Sequence, residues 1–178
     1  MKKLLMILPL ALILCFMVAC QDKAAMAELE EFKAQTAVEE QNKEIVRQLY
    51  EAIDEQNFDT LLELIAPDGV GHIPGVPEAV PLEAVTQVIK SYYEAFPDST
   101  HDIKAVIAEG DMVVIRFTQV STHTGDFEGI PPTGNKISVE CQHTLRLANG
   151  KVAEVWSVED NLGMMMQLGM ELKPKEEK

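Results

Sequence analysis

Asn149-Gly150 constrains this chain most, because this two-residue turn lies between two runs of strand-forming residues, 136–148 and 151–160. An Asn-Gly pair tolerates the positive φ angles of the tight turn that joins antiparallel strands with the correct twist. Pairing Ala148 with Lys151 and counting outward predicts five facing pairs: Leu147 with Val152, Leu145 with Glu154, His143 with Trp156, Cys141 with Val158, and Val139 with Asp160. All ten residues then share the apolar, buried side of the hairpin. Burying His143, Glu154 and Asp160 there is costly unless they pair with each other or line a cavity. Glu154, close to the turn, can reach solvent. Asp160 and His143 are therefore the candidate catalytic pair, since a carboxylate in an apolar pocket is a useful general base near neutral pH.

The rest of the chain reads as helices first and strands after. Ile45, Val46, Leu49 and Ile53 form one stripe of a helix near 41–56. Asn57 suits its left-handed cap, and Asp59 suits the N-cap of a short second helix that stops at Ala66-Pro67-Asp68-Gly69. A short strand at 70–73 carries His72, a proline-rich loop follows, and a third helix runs over 83–96. Residues 101–108 and 112–123 form a hairpin around Gly110-Asp111, a Gly/Pro-rich loop spans 125–135, and a methionine-rich helix covers 161–170. This order predicts an α+β fold rather than alternating α/β units.

The N-terminus has the marks of an export signal. Lys2 and Lys3 precede an uncharged apolar run, Leu4 to Val18, too short to span a bilayer as a helix, and small residues lead into Cys20. Met17-Val18-Ala19-Cys20 resembles a bacterial lipobox, which implies cleavage before Cys20 and lipidation of its sulfur, placing the protein in the cell envelope on a membrane through its lipid. The expected division is a signal peptide at 1–19, a lipidated tether at 20–40, one domain at 41–170 and a charged tail at 171–178. With 29 acidic against 15 basic residues, the chain should be repelled by nucleic acid and anionic lipid. Cys141 is left without a disulfide partner and reads as a small buried hydrophobe. The four histidines lack close ligand spacing, so no metal is expected.

Thr122-His123-Thr124-Gly125-Asp126-Phe127-Glu128-Gly129-Ile130-Pro131-Pro132-Thr133-Gly134 is similar to the corresponding segment of the SnoaL-like polyketide cyclase and ester cyclase family. Phe96-Pro97-Asp98, Arg146, Asn149-Gly150-Lys151, Glu154, Trp156, Asp160 and Gln167-Leu168-Gly169 add to the resemblance, which covers about 41–170. It implies an NTF2-like cone-shaped barrel, with a curved antiparallel sheet packed on N-terminal helices around one apolar pocket. It also implies an intramolecular aldol cyclase that works without a cofactor on a small apolar carbonyl compound, with Asp160 as the base and His143 beside it. Homodimerisation through the outer sheet face is a further implication. A non-catalytic small-molecule-binding lipoprotein using the same pocket is the alternative.

Trp156, Arg116, His72 and His123 are the substrate-contact candidates. Arg116 either pairs with Asp160 inside the pocket or reaches the outer face, and His72 either points inward or sits at an exposed strand end. His123 can instead hold the Gly/Pro loop. Met164, Met165, Met166 and Met170 are core filler, flexible enough to serve as a lid over an apolar ligand.

Overall fold

A computed structural model describes residues 2–171 and 173, with side chains from Lys23 onward. The Cys20 side chain and most of the 171–178 tail lie outside the described residues. The chain divides into two compact units, residues 1–38 and 39–178. In the first, the side chains of Met26, Leu29 and Phe32 are exposed.

Helix α1 runs over Lys2–Asp54, so the expected domain helix at 41–56 is the end of a longer one. In the second unit its stripe holds Ile45, Val46, Leu49, Tyr50 and Ile53, all buried. Gln56, not Asn57, takes the left-handed conformation after the helix, with φ of 54°. Asn57 instead caps α2 (Phe58–Leu64), its side-chain oxygen accepting from the Thr60 N–H, so the expected capping role of Asp59 falls two residues earlier. Ala66 to Gly69 belong to β1 (Ile65–His72), where the register is interrupted between Ile65 and Val70. The strand absorbs the proline and glycine as an irregularity instead of ending there. A two-residue strand β2 (Val80–Pro81) leads into α3 (Leu82–Ala95).

The hairpin β3 (Thr100–Glu109) and β4 (Met112–Thr122) and the hairpin β5 (Lys136–Ala148) and β6 (Lys151–Glu159) follow, and α4 (Asn161–Gln167) packs after them. The six strands form one sheet in the order β2-β1-β6-β5-β4-β3. It is antiparallel except where β1 lies parallel to β6. Alternation along β5 buries Ile137, Val139, Cys141, Leu145 and Leu147 against the helices, and Val113, Ile115 and Phe117 of β4 share that face. The fold is thus the expected α+β arrangement, a curved six-stranded sheet with N-terminal helices packed on it.

Candidate active site

Asn149, with φ of 52°, and Gly150, with φ of 73°, make the expected turn, and Ala148 pairs with Lys151 and Leu147 with Val152. Beyond that the register slips by one. Arg146 faces Glu154, Leu145 faces Val155, His143 faces Ser157 and Cys141 faces Glu159. Ala153 is the extra residue of a β-bulge, and a single extra residue exchanges the faces of everything after it. The predicted pairing of Leu145, His143, Cys141 and Val139 with Glu154, Trp156, Val158 and Asp160 is corrected accordingly. On β6, Val155, Ser157 and Glu159 turn inward.

The inward faces of the sheet and helices enclose a cavity of about 670 Å³. Its walls are mainly apolar, from Leu49, Ile53, Val85, Ile89, Phe127 and Met164 among others. Of the sequence-predicted site residues only His143 lines it. Asp160 caps α4, its Oδ1 accepting the Gly163 N–H at 2.8 Å, and its side chain is not part of the cavity wall. Trp156 stacks on His72 with ring centres 5.2 Å apart, and His72 Nε2 meets Glu154 Oε1 at 2.9 Å. Arg146 grips the other oxygen of Glu154 through Nε and Nη2 at 3.1 and 3.0 Å. These groups brace the opposite face of β1, β5 and β6. Arg116 pairs with Glu140 at 3.5 Å, both side chains exposed. That settles its two readings in favour of the outer face. His123 is fully buried away from the cavity; its Nδ1 accepts from the Thr133 N–H, and Gly134 N–H donates to its carbonyl. It therefore holds the Gly/Pro loop.

Two hydrogen-bonded clusters bring histidines to the cavity wall. In the first, the Tyr50 hydroxyl lies 2.6 Å from His143 Nδ1, and His143 Nε2 lies 3.3 Å from Glu159 Oε1. Burial, with the nearby Cys141 and Glu159, holds the Tyr50 phenol well above its ordinary value, so it keeps its proton and donates to Nδ1. The neutral His143 ring then carries its proton on Nε2 and donates to Glu159. In the second cluster, Asp54 Oδ1 accepts from His101 Nδ1 at 2.5 Å, and Asp54 Oδ2 accepts from the His101 backbone N–H at 3.2 Å. Phe117 lies edge-on to both histidine rings, and Tyr50 lies edge-on to His101 and tilted against His143, at centroid distances between 4.9 and 6.1 Å. Cys141, also in the wall, has its thiol pushed up to about 12, chiefly by burial, and is no nucleophile. Burial likewise pushes the Tyr92 phenol up to about 12. Among the described residues no group of three His, Cys, Asp or Glu side chains is placed to hold a metal.

Tyr50, Asp54, His101 and Glu159 were missed from sequence. Tyr50 lies on the apolar stripe of α1 and reads there as core. Glu159 precedes Asp160, so strand alternation in the unbulged register puts it on the outer face. For Asp54 and His101, 47 residues apart, no local pattern signals the pairing.

A family model described as SnoaL-like polyketide cyclase matches residues 43–168. The aklanonic acid methyl ester cyclase DauD of Streptomyces sp. (strain C5) is 28% identical over 129 residues, covering 71% of this chain and 80% of that protein. The crystal structure of IdmH from Streptomyces antibioticus, assigned as a polyketide cyclase, superposes with a TM-score of 0.68 at 32% identity, over 72% of this chain and 99% of IdmH. AclR from Streptomyces galilaeus, assigned as a hydroxylase, superposes with a TM-score of 0.69 at 28% identity, over 77% and 87% of the two chains.

Proposed function

From the premise that this chain belongs to the SnoaL-like polyketide cyclase family, we propose that it closes a ring in a small apolar carbonyl compound by proton abstraction and intramolecular aldol addition, without a cofactor. The observation that carries this reading is the Tyr50–His143–Glu159 chain set in the wall of a mainly apolar cavity. The Glu159 carboxylate removes the proton from the carbon between or beside the carbonyl groups. His143 holds that carboxylate in place through Nε2–H, and Tyr50 fixes the tautomer that makes this possible. The enolate attacks a second carbonyl carbon, and the resulting alkoxide takes up a proton. The apolar wall excludes water and folds the chain of the substrate on itself, which supplies the proximity an intramolecular reaction needs. Glu159 takes the role that the unbulged register gave to Asp160, because it is the carboxylate of the pair that borders the cavity.

The test is turnover of aklanonic acid methyl ester, the compound in the name of a relative, followed by product analysis. Glu159→Gln keeps the shape and removes the basicity. It should slow turnover by about a hundredfold or more, the usual worth of a positioned base, while leaving ligand affinity nearly unchanged. Identification by mass spectrometry of any ligand that co-purifies widens the test. A ligand that binds tightly and is never converted makes the protein a carrier, the alternative use of the same cavity.

The same proposal places the protein at a membrane of the cell envelope through lipid on Cys20. Cys20→Ser should move it to the soluble fraction or leave it unprocessed, and a variant that fractionates like the parent refutes the anchor. Association of two copies through the outer sheet face, where Ile107 and Val158 are exposed, is the matching proposal for oligomeric state, read by sedimentation.

A further inference from the structure

The two histidines of the cavity are held in opposite ways. Tyr50 donates to Nδ1 of His143, so in the neutral ring the Nε2 of that residue bears the proton and is engaged by Glu159. In His101 the carboxylate of Asp54 can only accept, so Nδ1 bears the proton. Asp54 grips both the ring and the backbone N–H of His101, which fixes the ring against rotation. The His101 side chain is 8% exposed and lines the cavity. Its Nε2 has no hydrogen-bond partner among the described residues, and it is not one of the sealed, unpartnered side-chain atoms. The free end of an Asp-braced imidazole thus borders the same ligand space as Glu159, with Tyr50 and Phe117 in contact with both histidines, and the aldol step needs a second proton transfer.

We propose that His101, positioned by Asp54, is that second proton-transfer residue, giving the Nε2 proton of its imidazolium form to the ligand's carbonyl oxygen while Glu159 takes the proton from carbon. This rests on the cyclase reading of the cavity. The electrons of the broken C–H bond form the new C–C bond, and those of the carbonyl π bond pass to oxygen, which receives the His101 proton. The product is an isomer of the substrate. Glu159 is left protonated and His101 neutral, and one proton passing between them through solvent restores both. Asp54 never touches the ligand; it orients the ring and balances its charge. The other titratable groups facing this pair are Tyr50 on α1, Tyr93 on α3, whose phenol is raised by burial and by Asp54, and His143 on β5. Of these only His143 can carry a positive charge, and its Nε2 lies 3.3 Å from the Glu159 carboxylate.

The experiment uses the full chain and 1-tetralone, a neutral apolar ketone, with binding followed through the methyl signal of Met164 in the cavity wall. An acceptor ligand that hydrogen-bonds the imidazolium must bind more tightly as that form is populated. The affinity should therefore rise about tenfold on going from about pH 8 to about pH 5.5. His101→Gln should abolish the rise, and Asp54→Asn should reduce it, whereas a merely structural role for Asp54 would lower stability and leave the pH dependence of affinity intact. A ketone affinity that does not change with pH, or a pH dependence that survives in His101→Gln, overturns the role of His101 alone. A Met164 signal that never moves at any pH refutes the small-carbonyl ligand, and this step with it.

Discussion

At the scale of single residues, the cavity is organised by which group keeps its proton. Tyr50 is buried between Phe117 and two histidines, and its phenol cannot ionise cheaply, so it acts as a fixed donor to His143. Removing that hydroxyl in Tyr50→Phe leaves His143 Nδ1 facing an apolar ring. The unpaired acceptor should cost about 1–3 kcal/mol of stability, measurable by urea denaturation. The same change frees His143 to adopt the other tautomer, which withdraws the hydrogen bond that holds Glu159. Turnover should therefore fall as well, and by more than the loss of folded protein explains. If Tyr50→Phe melts and turns over like the parent, the hydrogen-bond chain is incidental to catalysis. The paired substitutions Glu159→Gln and Asp160→Ala separate neighbours with different work. The first should slow turnover without much effect on folding. The second removes the N-cap of α4 and should cost about 1 kcal/mol of stability, with a much smaller effect on the chemical step.

At the scale of elements, one residue of bulge decides which of the neighbours Glu159 and Asp160 borders the cavity. The turn at Asn149-Gly150, the strands on either side of it and the buried face of β5 could all be read from local pattern, because turn chemistry and period-two alternation are local properties. Ala153 carries no such mark. Its bulge coincides with the interruption of β1 between Ile65 and Val70, so it is set by pairing with a strand more than 80 residues away, which no local count includes. Counting from the turn therefore puts His143, on the regular strand, on the cavity face it occupies, but puts Trp156 and Asp160, beyond the bulge, on a face they do not occupy. The loop after β4 shows a second long-range constraint. Thr124 and Gly125 both donate to the Ala95 carbonyl at the end of α3, and a Cβ on Gly125 would lie 2.2 Å from the Glu94 carbonyl oxygen. The obstacle is backbone, so it cannot rotate aside. Gly125→Ala should destabilise the protein by about 1–3 kcal/mol, as overpacking does, and should loosen the loop that brings Phe127 to the cavity. A Gly125→Ala variant with an unchanged melting temperature would mean that the loop has another way to lie on α3.

At the scale of the whole molecule, the balance of charge governs the response to acid. The chain carries a net charge of −14 at pH 7, so at neutral pH its carboxylates repel one another unless they are individually compensated. Two of them are. Hydrogen bonds from the Thr122 hydroxyl and backbone N–H hold Asp98 below its usual 3.8, tying the end of α3 to the end of β4. The hydrogen bond from His72 and the Arg146 fork hold Glu154 below its usual 4.5, joining β1, β5 and β6 on the face opposite the cavity. A carboxylate whose folded value is depressed binds protons less readily in the folded state than in the unfolded one. Its contribution to stability is therefore fully present above the unfolded value and is lost as pH falls through the lower folded value. Glu154→Gln should melt below the parent at neutral pH, and the gap should close as the pH drops below 4.5. Asp98→Asn should behave in the same way, with the closure displaced to lower pH because the ordinary value of Asp is lower. The two losses should add in the double variant, since they fasten different parts of the sheet and share no partner. Melting curves of the parent and the three variants at matched pH give the result directly: a gap that stays constant from neutral pH down past both unfolded values would show that these carboxylates stabilise the fold by packing rather than by charge.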